Sequence, residues 1–153
     1  MTINQTRRSR LLGLFARRQT WELEDIKERN RLTTAALAAA DKAEKEMQSQ
    51  VEQTESLLYR AISGKLNMDL TTVQTIREYL GEQYHLHKQC TAEQQRAAQR
   101  ASQVETQLKQ ASLTIKALET VKDNLDGEIK CQLEKRLLAQ NLELWLQHLV
   151  AGK

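Results

Sequence analysis

The sequence predicts an all-α protein in which two long helices form an antiparallel coiled-coil hairpin, the second helix being the longer. Three observations predict it: a 3-4 spaced apolar stripe from Val73 to Ile129, a second such stripe from Leu23 to Ala61, and a glycine-containing break between them. The first runs Val73, Ile76, Leu80, Gln83, His87, Cys90, Gln94, Ala97, Ala101, Val104, Leu108, Ala111, Ile115, Leu118, Lys122, Leu125, Ile129, and thirteen of its seventeen positions are apolar if Cys90 is counted. A repeat averaging 3.5 residues keeps one narrow seam facing a neighbouring helix, which is what a left-handed coiled coil requires.

Composition supports long helices. The 153 residues include no proline and five glycines, and Leu, Ala, Glu, Gln, Lys and Arg dominate, all good helix formers. One Phe, three Tyr and two Trp are too little bulk for a thick globular core, so a compact enzyme domain is not expected.

The second stripe is Leu23, Ile26, Asn30, Thr33, Leu37, Ala40, Glu44, Met47, Val51, Thr54, Leu58, Ala61, with eight of twelve positions apolar. Between the stripes, Gly64 can close a helix in the left-handed conformation and Asp69, Thr71 or Thr72 can cap the next. These signals place the first helix at about 7–62, the loop at about 63–71 and the second helix at about 72–150 within a single hairpin. Two seams joined by a short loop can bury each other in one chain, and parallel homodimerisation is the rival arrangement. In the hairpin, residue i faces roughly residue 134 minus i, which sets Arg7 to Arg18 opposite a stretch holding Glu119, Asp123 and Asp126.

Beyond about residue 128 the second helix has no partner left, and Gly127 marks a candidate bend. There the leucines crowd: Leu133, Leu137, Leu138, Leu142, Leu144, Trp145, Leu146, Leu149 and Val150 follow Ile129. A widened apolar face with a Trp is either a docking surface for another protein or a segment folded back to pack Trp145 near Trp21.

A formal charge of +3 on a chain that is 28% charged does not suit a polyanion binder unless the charge is clustered. It clusters at Arg7, Arg8, Arg10, Arg17 and Arg18, with no acid before Glu22. Organellar transit peptides share that character. A basic leucine zipper would read bases from one patterned face, which Leu11, Leu12, Leu14 and Phe15 interrupt, so no nucleic-acid partner is expected. Arginines at a helical end suit an acidic protein surface better, because the guanidinium pairs with carboxylates in a bidentate manner.

His85 and His87 point about 200° apart on one helix and cannot share a metal. His87 and Cys90 share a face, but both occupy seam positions. Cys90 and Cys131 lie about 60 Å apart along one helix and cannot pair; two free thiols fit a reducing cytoplasm. No apolar run approaches 18 residues, so no membrane span is expected. Gly64-Lys65 lacks the surrounding pattern of a phosphate loop, and the carboxylates Glu22, Glu24, Asp25 and Glu28 read as a solvated face. No nucleophile, base and oxyanion donor can be assembled. Neither catalysis nor a cofactor or metal is expected.

The length, the basic N-terminal helix, the loop Ile62-Ser-Gly-Lys-Leu-Asn-Met-Asp-Leu-Thr72 and the longer Gln-rich helix opening Val73-Gln-Thr-Ile-Arg-Glu-Tyr-Leu together resemble the FliJ/HrpO/YscO stalk family of type III secretion and flagellar export. The plant-pathogen HrpO type, a virulence component, is the branch it is most similar to. The resemblance covers the whole chain. It implies a cytoplasmic bacterial protein at the cytoplasmic face of the secretion apparatus, a central stalk linking the hexameric export ATPase to the cytoplasmic domain of the export gate, with secretion chaperones as further partners. It also implies two surfaces. Arg7, Arg8, Arg10, Arg17 and Arg18 with Leu138, Leu142, Trp145 and Leu149 would face the ATPase. Tyr59, just before the loop, and Ile76, Leu80 and His87 after it would face the gate; the family's Phe, Leu, Ala, His set maps by spacing onto Ile76, Leu80, Gln83 and His87. Ile76, Leu80 and His87 are also seam positions, so core and contact remain alternative roles. The alternative to the export reading is a self-associating structural coiled-coil scaffold.

Overall fold

The computed structural model describes residues 2–152, and the side chain of Thr2 is not described. Helix α1 spans Thr2–Ile62 and helix α2 spans Leu70–Ala151. They pack against each other as an all-helical hairpin with no strand among the described residues. Helix α1 begins five residues before the position expected from the sequence, and α2 two residues before it. Both extensions follow from local chemistry: no proline or glycine interrupts residues 2–12, and Asp69 caps α2 from one position outside it.

The turn follows the signals of its residues. Gly64 has φ +76°, and its N–H bonds to the carbonyl of Ala61 at 3.4 Å while that of Lys65 reaches the carbonyl of Arg60 at 3.1 Å. These are the two bonds of a Schellman motif, which needs a left-handed residue between them. A Cβ at Gly64 would meet nothing within 4 Å, so the penalty of Gly64→Ala is backbone strain alone. The expected loss is about 1 kcal/mol, read as a lower midpoint in urea unfolding. On the far side, the Asp69 carboxylate accepts from the Thr72 N–H at 3.0 Å, and the Asp69 carbonyl accepts from Val73 N–H at 3.1 Å, the geometry of an N-cap. Hydrogen bonding from Thr72 holds the Asp69 carboxyl below its ordinary pKa. A depressed pKa stabilises the fold above the unfolded-state value and ceases to do so as pH falls through the folded value.

Contacts group the chain into two compact units, one of residues 26–108 and one of residues 1–25 with 109–153. In the first unit, Val51, Ala61 and Leu80 are buried, as are Thr54 and Gln83. Every position of the two stripes within this unit is buried or half-buried. The helices run antiparallel, with Glu55 bonded to Tyr84, His87 Nε2 3.1 Å from Glu44 Oε1, and Gln94 Nε2 donating to Asp41 at 2.9 Å. Three of the seam's polar positions thus have a stated function: His87 with Glu44, and Gln94 with its neighbour Asp41, tie one register, because a one-heptad slip would break both pairs. Thr54 turns its hydroxyl to the carbonyl of Gln50 at 3.0 Å.

Gln83 is different. It is 4% exposed, and its Oε1 accepts no hydrogen bond from the protein. An unmatched buried acceptor costs more than it contributes. Gln83→Leu is therefore expected to raise stability by about 1 kcal/mol, measured as an upward shift of the thermal unfolding midpoint.

In the second unit, Ile115 is buried, and Leu118, Lys122, Leu125 and Ile129 are half-buried along the same stripe. The N-terminal stretch extends the α1 seam by five positions that the stripe from Leu23 omits: Gln5, Ser9, Leu12, Ala16 and Gln19 are all half-buried. Ser9 donates to Asp126 across the helices, and Gly13 faces the Lys122 side chain. Residues 9 and 126, 13 and 122, and 41 and 94 each fall within one position of the 134 minus i relation, while the longer-reaching pairs 44 and 87 and 55 and 84 fall three and five positions from it. Helix α2 continues without a break through Gly127.

Candidate partner-binding surfaces

The residues predicted to face the ATPase all belong to the unit of residues 1–25 and 109–153. Arg7, Arg8, Arg10, Arg17 and Arg18 are exposed on α1. Arg18 pairs along its own helix with Glu22 at 3.3 Å. The expected cross-helix partner Asp126 bonds Ser9 instead, while Arg10 and Arg17 share a shallow groove with Glu119 and Asp126. Exposed pairs of this kind contribute only about 0 to 1 kcal/mol, so the arginines are available to a partner at little cost to the fold.

Residues 133–150 remain helical and are exposed throughout. Leu138 is 69% exposed, Leu142 59%, Trp145 60% and Leu149 50%. The fold-back alternative, with Trp145 packed near Trp21, is not what this unit adopts: Trp21 is 79% exposed. Leu133, Leu137, Leu144, Leu146 and Val150 add to the same uncovered surface. An apolar surface of this size, lying along a single helix, is unusual for a chain acting alone.

The residues predicted to face the gate fall in the unit of residues 26–108, and the structure separates them by environment. Tyr59 is exposed, Ile76 and His87 are half-buried in the seam, and Leu80 is core at 7% exposure. Leu80 could meet a partner only if the helices separated there. The exposed apolar and aromatic side chains of this region are others, which the stripe analysis passed over because they lie off the seam: Ile62, Leu70, Tyr79, Tyr84 and Leu86 join Tyr59. All three tyrosines of the chain lie between residues 59 and 84, a clustering that could have signalled a surface. The Tyr84 hydroxyl donates to the Glu55 carboxylate, and that bond raises its pKa above the ordinary tyrosine value, so the donor stays protonated.

Among the described residues, no group of three or more His, Cys, Asp and Glu is placed to hold a metal ion, and no helix is long and apolar enough to cross a membrane. Cys90 and Cys131 are free thiols. His85 bonds to Gln89 on its own helix at 3.1 Å.

Fold and surfaces together define a class: an all-helical, coiled-coil-like hairpin whose exposed apolar residues gather away from its seam. No family model, curated protein or solved structure matches the chain.

Proposed function

We propose that this chain is a central stalk or adaptor of the FliJ/HrpO/YscO kind, a bacterial cytoplasmic protein at the cytoplasmic face of a type III secretion or flagellar-type export apparatus. It joins the hexameric export ATPase, through its arginine-rich α1 start and leucine-rich α2 end, to the cytoplasmic domain of the export gate, through the region around Tyr59, with secretion chaperones as further clients. The observation that carries the reading is the uncovered surface at residues 133–150, Trp145 included, beside a helix start bearing five arginines and no acid in its first eighteen residues. A self-contained hairpin has no use for such a surface, whereas a protein seated in another assembly does. Arginine is suited to the carboxylates that line a protein socket, because it pairs with them in a bidentate fashion.

The gate-facing part rests on Tyr59, Tyr79 and Ile62 more than on Ile76, Leu80 and His87, whose seam positions commit them to the hairpin. The competing reading, a self-associating scaffold, requires a stable homodimer. Mixing the purified chain with the hexameric export ATPase and measuring molar mass by light scattering tests both. The stalk reading expects a monomer alone and one chain per ATPase ring in the mixture; a stable dimer that ignores the ring contradicts it.

A further inference from the structure

The outer side of the first turns of α1 is patterned. At about 100° per residue, Ile3, Leu14 and Trp21 fall within about 20° of one another and form a ridge about 27 Å long. Arg10 and Arg17 lie along one edge of it, about 20 to 40° round the helix, and Arg7 and Arg18 along the other, about 40 to 60° round. The ridge points away from α2. The half-buried seam residues Gln5, Ser9, Leu12, Ala16 and Gln19 centre about 180° from it. Ile3 is 83% exposed, Leu14 60% and Trp21 79%, and all four arginines are exposed.

No carboxylate stands within this strip. The sequence has no acid before Glu22, and Glu22, which Arg18 meets at 3.3 Å, lies about 100° round from the ridge. That pair is exposed on both sides, so releasing Arg18 from it costs little. Among the described residues, Arg7, Arg10 and Arg17 form no ion pair. Arg10 and Arg17 border the groove that holds Glu119 and Asp126 without pairing to either, and Asp126 is engaged by Ser9.

An exposed apolar ridge edged on both sides by arginines is the pattern of a helix lying in the headgroup layer of a bilayer. There the apolar side chains sink about 5 to 10 Å toward the acyl chains, the long arginines reach back to the phosphates, and a Trp ring lies at the boundary. A nucleic acid offers phosphates but nothing for the ridge. A protein socket that buried the ridge would desolvate four guanidinium groups beside it and need a carboxylate for each, whereas an anionic lipid surface offers phosphate and hydrocarbon along its whole extent. We infer that the outer face of α1 from Ile3 to Trp21 docks on a bilayer containing anionic phospholipid, lying in its plane without spanning it. The inference goes beyond the export reading and does not rest on it. Ring ATPase and bilayer would compete for the same arginines, so ring-bound and membrane-bound chains are separate populations.

The full chain, carrying Trp145→Phe so that Trp21 is its single tryptophan, is mixed with vesicles of phosphatidylcholine and with vesicles in which about a third of the lipid is phosphatidylglycerol. The anionic vesicles should bind it at least about a hundredfold more tightly, since each arginine near such a surface adds about fivefold, and added salt should weaken that binding. Trp21 emission should shift to the blue, and brominated acyl chains should quench it. By co-sedimentation, Leu14→Ser with Trp21→Ser, and separately Arg10→Gln with Arg17→Gln, should each weaken binding to anionic vesicles by about tenfold or more. Circular dichroism confirms that the variants keep their helices; Leu14→Gln with Trp21→Gln replaces the serine pair if helicity falls, with the same loss expected. Equal affinity for both kinds of vesicle, no binding at about 1 mM lipid, or Trp21 emission unmoved by anionic vesicles would overturn the proposal. So would loss of binding on Leu142→Ser with Trp145→Ser but not on the change at 14 and 21, since the α2 end would then be the inserted part. Binding of a glutamate-rich helical peptide without any binding of vesicles would overturn it too, assigning the face to an acidic protein.

Discussion

Leu80→Ala should lower the stability of the hairpin by about 2 to 3 kcal/mol, the largest loss expected from any truncation in the chain. Leu80 is 7% exposed and sits next to Gln83 along a seam with few fully buried side chains to share the load. Most seam positions are half-buried, as two helices without a third layer must leave them. The transfer term for the lost methylenes applies in full, while the cavity term stays moderate because a two-helix seam can partly collapse. For a chain of this length that loss corresponds to a fall of roughly 5 to 10 °C in the thermal midpoint, checked by circular dichroism at 222 nm. Ile76→Ala, half-buried one turn earlier, should cost less.

Leu142→Asp combined with Trp145→Asp should do the opposite in each respect. Both side chains are more than half exposed, so the melting curve of the isolated chain should be unchanged within error. If the stalk proposal holds, binding to the ring ATPase should weaken at least about a hundredfold, because buried aromatic and aliphatic anchors dominate interface energies. Titration of the variant against the ATPase, followed by light scattering, measures it. A large drop in melting temperature would show that these side chains pack within the chain, and unchanged binding would remove the α2 end from the proposed interface.

The contrast between the two experiments reflects what the sequence made legible. The seam was readable position by position, because 3-4 spacing is imposed by helix geometry whatever the partner: every stripe position from Val73 to Ile129 and from Leu23 to Ala61 is buried or half-buried. The five earlier positions were hidden because Gln5, Ser9 and Gln19 are polar and so carry no hydrophobic signal, although extending the heptad backwards from Leu23 reaches each of them. Those five add to the α1 seam, while Gln132 adds one half-buried position to that of α2. Which polar positions pair could not be read either. That Asp41 rather than a seam residue meets Gln94, and that Gln83 meets nothing through its Oε1, depends on side-chain reach and not on spacing.

The surfaces were legible to different degrees. The leucine-rich α2 end was evident from composition, and its side chains from Leu133 to Val150 are exposed. Around the loop, spacing selected Ile76, Leu80 and His87, whereas the exposed side chains are Tyr59, Ile62, Leu70 and Tyr79. Periodicity finds what a helix buries against its neighbour, and says little about off-seam residues, each of which is individually an ordinary exposed side chain.

Site-specific photocrosslinking on the assembled export apparatus tests the proposed role most directly, with a photoreactive residue at position 145 in one variant and at position 59 in another. The stalk reading predicts that position 145 captures the ring ATPase and position 59 captures the gate's cytoplasmic domain. Capture of a second copy of this chain at both positions, with neither ATPase nor gate, would contradict it.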